Sequence, residues 1–128
     1  MAEMSNYLET ALINGTLRGT TYTAPTTTYL ALYTNDPTDA DTGTEVTGGS
    51  YVRQAITFSA PSGGATSNSS AIEFPQCTAD WGTITHIGIR DAVTTGNLLY
   101  HSALDTSKVI ANGDIFKITA TNLSVTLA

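Results

Sequence analysis

The run from Trp81 to Leu104, W-G-T-I-T-H-I-G-I-R-D-A-V-T-T-G-N-L-L-Y-H-S-A-L, constrains this chain more than any other stretch. Ile87 and Ile89 alternate with Gly88 and Arg90 up to a turn-forming T-T-G-N at Thr94 to Asn97, and Leu98 to Leu104 resumes an extended, apolar-rich run. Alternation, a glycine-bearing turn and a second extended run spell a β-hairpin. Its arms carry Ile, Leu, Tyr and Trp more densely than one exposed ribbon keeps in water, so the hairpin is expected to be scaffold inside a larger sheet.

Strand signals recur on both sides of it. Thr28 to Thr34 places Leu30 and Leu32 on one face and Tyr29, Ala31 and Tyr33 on the other, so neither face looks wet and the segment reads as a central strand. Tyr51 to Ala60 reads as a strand through Ile56 and Phe58, and Ala71 to Pro75 as a short one with Ile72 and Phe74 inward and Glu73 outward. Beyond the hairpin, Asp105 to Ala111 is expected to cross over before a tight turn at Asn112-Gly113-Asp114. Alternation then predicts two half-buried strands around Phe116 and Ile118 and around Leu123, Val125 and Leu127. Pro61 to Ser70, P-S-G-G-A-T-S-N-S-S, is predicted to be a flexible turn.

One helix is expected, over about residues 5–14. Met4, Tyr7, Leu8, Ala11 and Leu12 recur at helical spacing, with Ser5 as the N-cap and Gly15 as the stop. So short a helix is marginal alone, and its apolar stripe needs a cover, which the chain's own sheet or a neighbouring subunit would supply. The favoured expectation is a lid on its own sandwich. Arg18 to Thr27, broken by Pro25, reads as an extended connector. With 128 residues, about seven short strands and no repeat or linker, the chain fits one mainly β domain over 1–128. An antiparallel β-sandwich or jelly-roll-like barrel with one short N-terminal α-helix is the expected architecture.

Only 12% of residues are charged, about half the usual share of a soluble domain, so Thr, Ser, Asn and Gly must cover much of the surface. Short uncharged side chains lose little rotamer entropy when covered, which suits permanent assembly. Five Lys and Arg against a net charge of −6 leave no cationic footprint for phosphates, so nucleic acid is an unexpected partner. No stretch approaches the ~20 apolar residues of a membrane span, and no leader-like run is visible. A lone Cys77 forms no intramolecular disulfide and fits folding in a reducing cytoplasm.

Catalytic groups are scarce. His86 and His101 are the only histidines, sit in opposite arms of the hairpin, and are read as sheet residues hydrogen-bonded to side chains or backbone. No G-x-S-x-G elbow is present, and two histidines with Cys77 leave a zinc site short of ligands. Asp39, Asp41, Gly43 and Glu45 superficially match a calcium loop, but Ser50 stands about where a bidentate Glu is needed, so Asp36 to Ser50 reads as a solvated acidic loop. The six tyrosines are spread along the chain, and packing is the safer reading than a sugar platform. No enzyme, cofactor or metal is expected.

T-H-I-G-I-R-D followed by G-N-L-L-Y-H-S-A-L resembles the characteristic block of a family of small tailed-phage virion proteins commonly labelled tail fibre proteins. N-Y-L-E-T-A-L-I-N, R-G-T-T-Y-T-A-P-T-T-T-Y-L-A-L-Y-T, G-G-S-Y-V-R-Q-A-I-T-F and N-L-S-V-T-L fit the same pattern, so the resemblance covers nearly the whole chain. It implies a virion structural protein made in the host bacterial cytoplasm. Joined to the small size and low surface charge, it yields the leading expectation: a capsid decoration, or cement, protein on the outer head surface. Its partners would be the major capsid protein lattice and a dimer or trimer of itself. The alternative is a tail or tail-fibre component that adheres to the host surface. The contacting residues are expected on the helix and connector, at Tyr7, Leu8, Ala11, Leu12, Arg18 and Tyr22.

Overall fold

A computed structural model describes residues 2–127. Strands β1 (Glu3–Met4), β2 (Thr28–Tyr33), β3 (Gln54–Ile56), β6 (Gly82–Arg90) and β7 (Leu98–Ile110) form one antiparallel sheet in the order β1-β7-β6-β2-β3. Two antiparallel ribbons face it: β4 (Ala65–Ser67) with β9 (Ser124–Thr126), and β5 (Ile72–Glu73) with β8 (Lys117–Ile118). Helix α1 (Asn6–Leu17) follows β1 directly. The fold is a β-sandwich with a short N-terminal helix, as the strand patterning predicts.

The hairpin supplies the frame. Leu30 and Leu32 of β2 sit opposite Ile89 and Ile87 of β6, and these four turn one face of the sheet into a wall of the core. Ile72, Phe74, Phe116, Leu123 and Val125 close it from the ribbon side. Ala31 and Tyr33 lie on the other face of β2 and are also buried, so both faces of this strand are covered, as its sequence implies.

The second arm of the hairpin is longer than expected. Strand β7 continues to Ile110, where it pairs with Gly82, and the expected crossover at Asp105 to Ala111 does not occur. The irregularity that the sequence hints at is instead a bulge: between the pairs His86↔Ala103 and Ile84↔Lys108, residues 104–107 stand against Thr85 alone. Such a four-against-one bulge bends the strand and interrupts the flat edge that β7 would otherwise offer for pairing.

Two other departures have local causes. The helix runs through Gly15 to Leu17, because a helical glycine costs only about 1 kcal/mol against alanine and need not stop it. The turn away comes at Gly19, whose φ of +70° suits a residue without a Cβ. Ser5 is the N-cap, its Oγ accepting from the Leu8 backbone N–H at 3.2 Å. The segment expected as a flexible turn, Pro61 to Ser70, contains β4 and, just after it, Asn68, which is fully buried.

Asn68 is a polar hub. Its Nδ2 donates to the carbonyls of Ser70 (2.8 Å) and Thr119 (3.0 Å), and its Oδ1 accepts from the Leu123 N–H at 2.9 Å. Its backbone N–H reaches the Leu123 carbonyl and its own carbonyl accepts from Thr121. One side chain thereby ties β4 to the turn between β8 and β9. Truncation strands buried backbone groups, so Asn68→Ala is expected to lose about 2–3 kcal/mol of stability, read as a lower urea midpoint with an unchanged m-value.

Candidate interaction groove and the charged face of the sheet

Helix α1 does not lid the core. Among its residues only Leu8 is buried, Ala11 and Leu12 are half-buried, and Ile13 and Leu17 stand 54% and 79% exposed. The expectation of a helix closing its own sandwich is thus corrected: the N-terminal cap is fastened to the hairpin, and the rest lies on the outside. The fastening is local, through Ser5, whose N–H donates to the Leu99 carbonyl at 2.9 Å and whose Oγ donates to the Leu98 carbonyl at 2.5 Å.

Between the outer flank of α1 and the connector lies a groove of about 640 Å³, bounded by Tyr7, Ala11 and Asn14 on one side and by Thr20, Thr21 and Tyr22 on the other. None of its lining side chains is charged. Of the six residues expected at a contact surface, Tyr7, Ala11 and Tyr22 come together here. Leu8 instead packs inward, and Leu12 lies outside the lining. Arg18 caps the helix C-terminus, its N–H donating to the Asn14 carbonyl at 3.1 Å, and is exposed. The Tyr22 hydroxyl is pushed above its ordinary pKa by burial first, with Tyr7, Asp91 and Tyr100 adding to the effect. Of the other tyrosines, Tyr51 and Tyr33 are spent in the fold, donating or accepting inside polar networks.

The acidic loop is the larger surprise. It does not stand free in solvent but lies across the second face of the sheet, held by buried cations. Arg90 Nη1 and Nη2 grip Asp41 in a two-pronged pair at 2.8 and 2.9 Å, and Nη1 also donates to the Tyr33 hydroxyl at 2.9 Å. Arg53 makes the same fork with Glu45 at 2.7 and 2.8 Å, and its Nη1 donates to the carbonyls of Ala92 and Thr95 in the hairpin turn. Asp41 and Glu45 are therefore committed to arginines, and the calcium-like spacing does not converge on one point.

The histidines are not cross-strand partners. In the hairpin register His86 faces Ala103 and His101 faces Gly88, so the two are not opposite one another. His86 Nδ1 lies 2.8 Å from Thr85 Oγ1. His101 is buried and its Nε2 lies 2.7 Å from Asp39 Oδ1, a contact between residues 62 positions apart that no sequence spacing signals. Cys77 is buried, its thiol donating to the Ala111 carbonyl at 2.6 Å.

The Glu45–Arg53 pair makes stability depend on acid. Burial pushes the Glu45 carboxyl up, but the hydrogen bonds and charge of Arg53, with the Tyr51 hydroxyl, outweigh it and hold the group below its ordinary value of 4.5. A lowered folded value means the stabilisation is complete above about pH 4.5 and drains away as the pH falls through the folded value. Melting temperature is expected to fall on acidification below that point, and Glu45→Gln is expected to flatten that part of the profile.

Fold and surface together define a small antiparallel β-sandwich module with an externally mounted helix and an uncharged groove. Residues 3–126 match the family model described as podophage GP4 fiber I protein gp80, and the chain belongs to that family. It is a phage structural protein of the tail-fibre type, a component of the virion. No curated protein matches the chain.

Proposed function

We propose that this chain is a non-enzymatic fibre subunit that self-associates through the groove between α1 and the connector. The single observation that carries the reading is that groove: the helix flank of Tyr7, Thr10, Ala11 and Asn14, left on the outside of the fold and facing Thr and Tyr side chains of the connector without one charged group. Two copies that each carry a net charge of −6 repel, so they approach most cheaply across a patch that holds none of it. Short uncharged side chains there also lose little entropy on being covered.

Substituting Ala11→Arg fills the groove with charge at a half-buried position on an exposed helix. The full-length chain is expected to sediment as a dimer or trimer, and the A11R chain as a monomer with its melting temperature within a few degrees of the parent. A parent that is monomeric at high concentration, or an A11R assembly unchanged in mass, overturns the proposal.

The low-charge surface also suits a second reading, a decoration protein that reinforces the capsid lattice. Copy number and position in the particle separate them. Hundreds of copies over the head support decoration, whereas a few copies at the tail support the fibre role.

A further inference from the structure

A separate cluster on the second face of the sheet has the makings of a cation site. His101 projects from β7 and is only 5% exposed, and its Nε2 faces Asp39 Oδ1 at 2.7 Å and Glu3 Oε2 at 3.9 Å. The three ligand atoms lie within 4.8 Å of one another. On the opposite side of the ring, Nδ1 faces Asp36 Oδ1 at 3.8 Å. Three carboxylates thus converge on one imidazole, and among the described residues neither a Lys nor an Arg pairs with any of the three, because the arginines of this face are taken by Asp41 and Glu45.

We infer that Glu3, Asp39 and His101 bind one divalent transition cation, such as Zn²⁺ or Mn²⁺. One imidazole nitrogen with carboxylate oxygens suits such ions better than Ca²⁺ or Mg²⁺, which favour oxygen alone. A carboxylate facing the second ring nitrogen of a ligating histidine orients the ring and raises its basicity, and Asp36 stands where that partner belongs. Ligands about 2.1 Å from an ion lie about 3.0–3.5 Å from each other, so Asp39 must draw back slightly and Glu3 close in. Both are free to do so, with side chains 47% and 72% exposed, whereas the buried imidazole stays fixed.

The ion would join three segments far apart in sequence. Glu3 lies in β1, His101 opposite it in β7, and the Asp39 carbonyl accepts from the Asn6 N–H at the start of α1. Loading the site therefore stiffens the mount of the helix, through a cluster that shares no residue with the groove.

The test is calorimetric titration of the untagged, chelator-treated full-length chain with ZnCl₂ and, separately, MnCl₂, followed by thermal melts. One ion per chain and a melting temperature raised by several degrees are expected. Glu3→Gln and Asp39→Asn change exposed side chains without threatening the fold, and each is expected to weaken binding at least tenfold. Asp36→Asn is expected to weaken it about tenfold. No saturable binding of either ion up to about 1 mM, affinity untouched by E3Q and D39N, or Ca²⁺ binding as tight as Zn²⁺ each overturns the inference.

Discussion

Glu45→Ala is expected to lower the unfolding free energy by about 3–5 kcal/mol, a large share of the 5–15 kcal/mol typical of a small domain. The reason is what is left behind. The Arg53 side chain is 8% exposed, so without Glu45 a guanidinium remains in the protein with only the Ala92 and Thr95 carbonyls as partners. The Tyr51 hydroxyl loses an acceptor at 2.6 Å in the same step while still accepting from the Leu32 N–H. A double substitution, Glu45→Leu with Arg53→Met, removes the charge together with its partner and is expected to recover most of the loss. Urea denaturation of the two variants checks both statements. A single-variant loss below about 1 kcal/mol would show that water screens the pair as at an open surface.

These pairs also mark where the sequence stops being readable. Strands β2, β5, β6 and β9 and the cap of α1 were legible because each depends on periodicity or on a residue three positions away. The charged face was not, since Arg53 and Glu45 are 8 residues apart and Arg90 and Asp41 are 49 apart, across different elements. One signal was nevertheless present. Arg90 alternates with Ile87 and Ile89, so it shares the face of Tyr29, Ala31 and Tyr33, a face already recognised as dry. A cation there needs an acid, and the densest cluster of acids in the chain is the 36–45 loop. Asn68 was hidden differently: in P-S-G-G-A-T-S-N-S-S it looks like turn chemistry, and only the fold reveals that its amide is fully enclosed. The groove was partly legible, because helical spacing pairs Tyr7 with Ala11, but Tyr22 reaches it only through the path of the connector.

Trp81→Ala is expected to be as damaging, at about 3–5 kcal/mol, by the cavity it would leave. Trp81 is 5% exposed and lies edge-on to Tyr51 at 5.5 Å and to Phe74 at 6.1 Å, while Phe74 meets Phe116 at 5.7 Å. Removing the indole therefore unpacks an aromatic chain that links the sheet to both edges of the β5–β8 ribbon. It also abandons a hydrogen bond, because Trp81 Nε1 donates to the Gly49 carbonyl at 2.9 Å and so holds the end of the acidic loop. Gly49 is fitted to that contact: its φ is +58°, and a Cβ there would stand 2.8 Å from the indole nitrogen. Trp81→Phe separates the two contributions, since it retains most of the ring packing but lacks the N–H. Its loss is expected to fall near 1–2 kcal/mol, with loop protection against hydrogen exchange reduced around Gly48 to Tyr51. Equal losses for Phe and Ala would mean that the bond to Gly49, and not the packing, anchors this end of the hairpin.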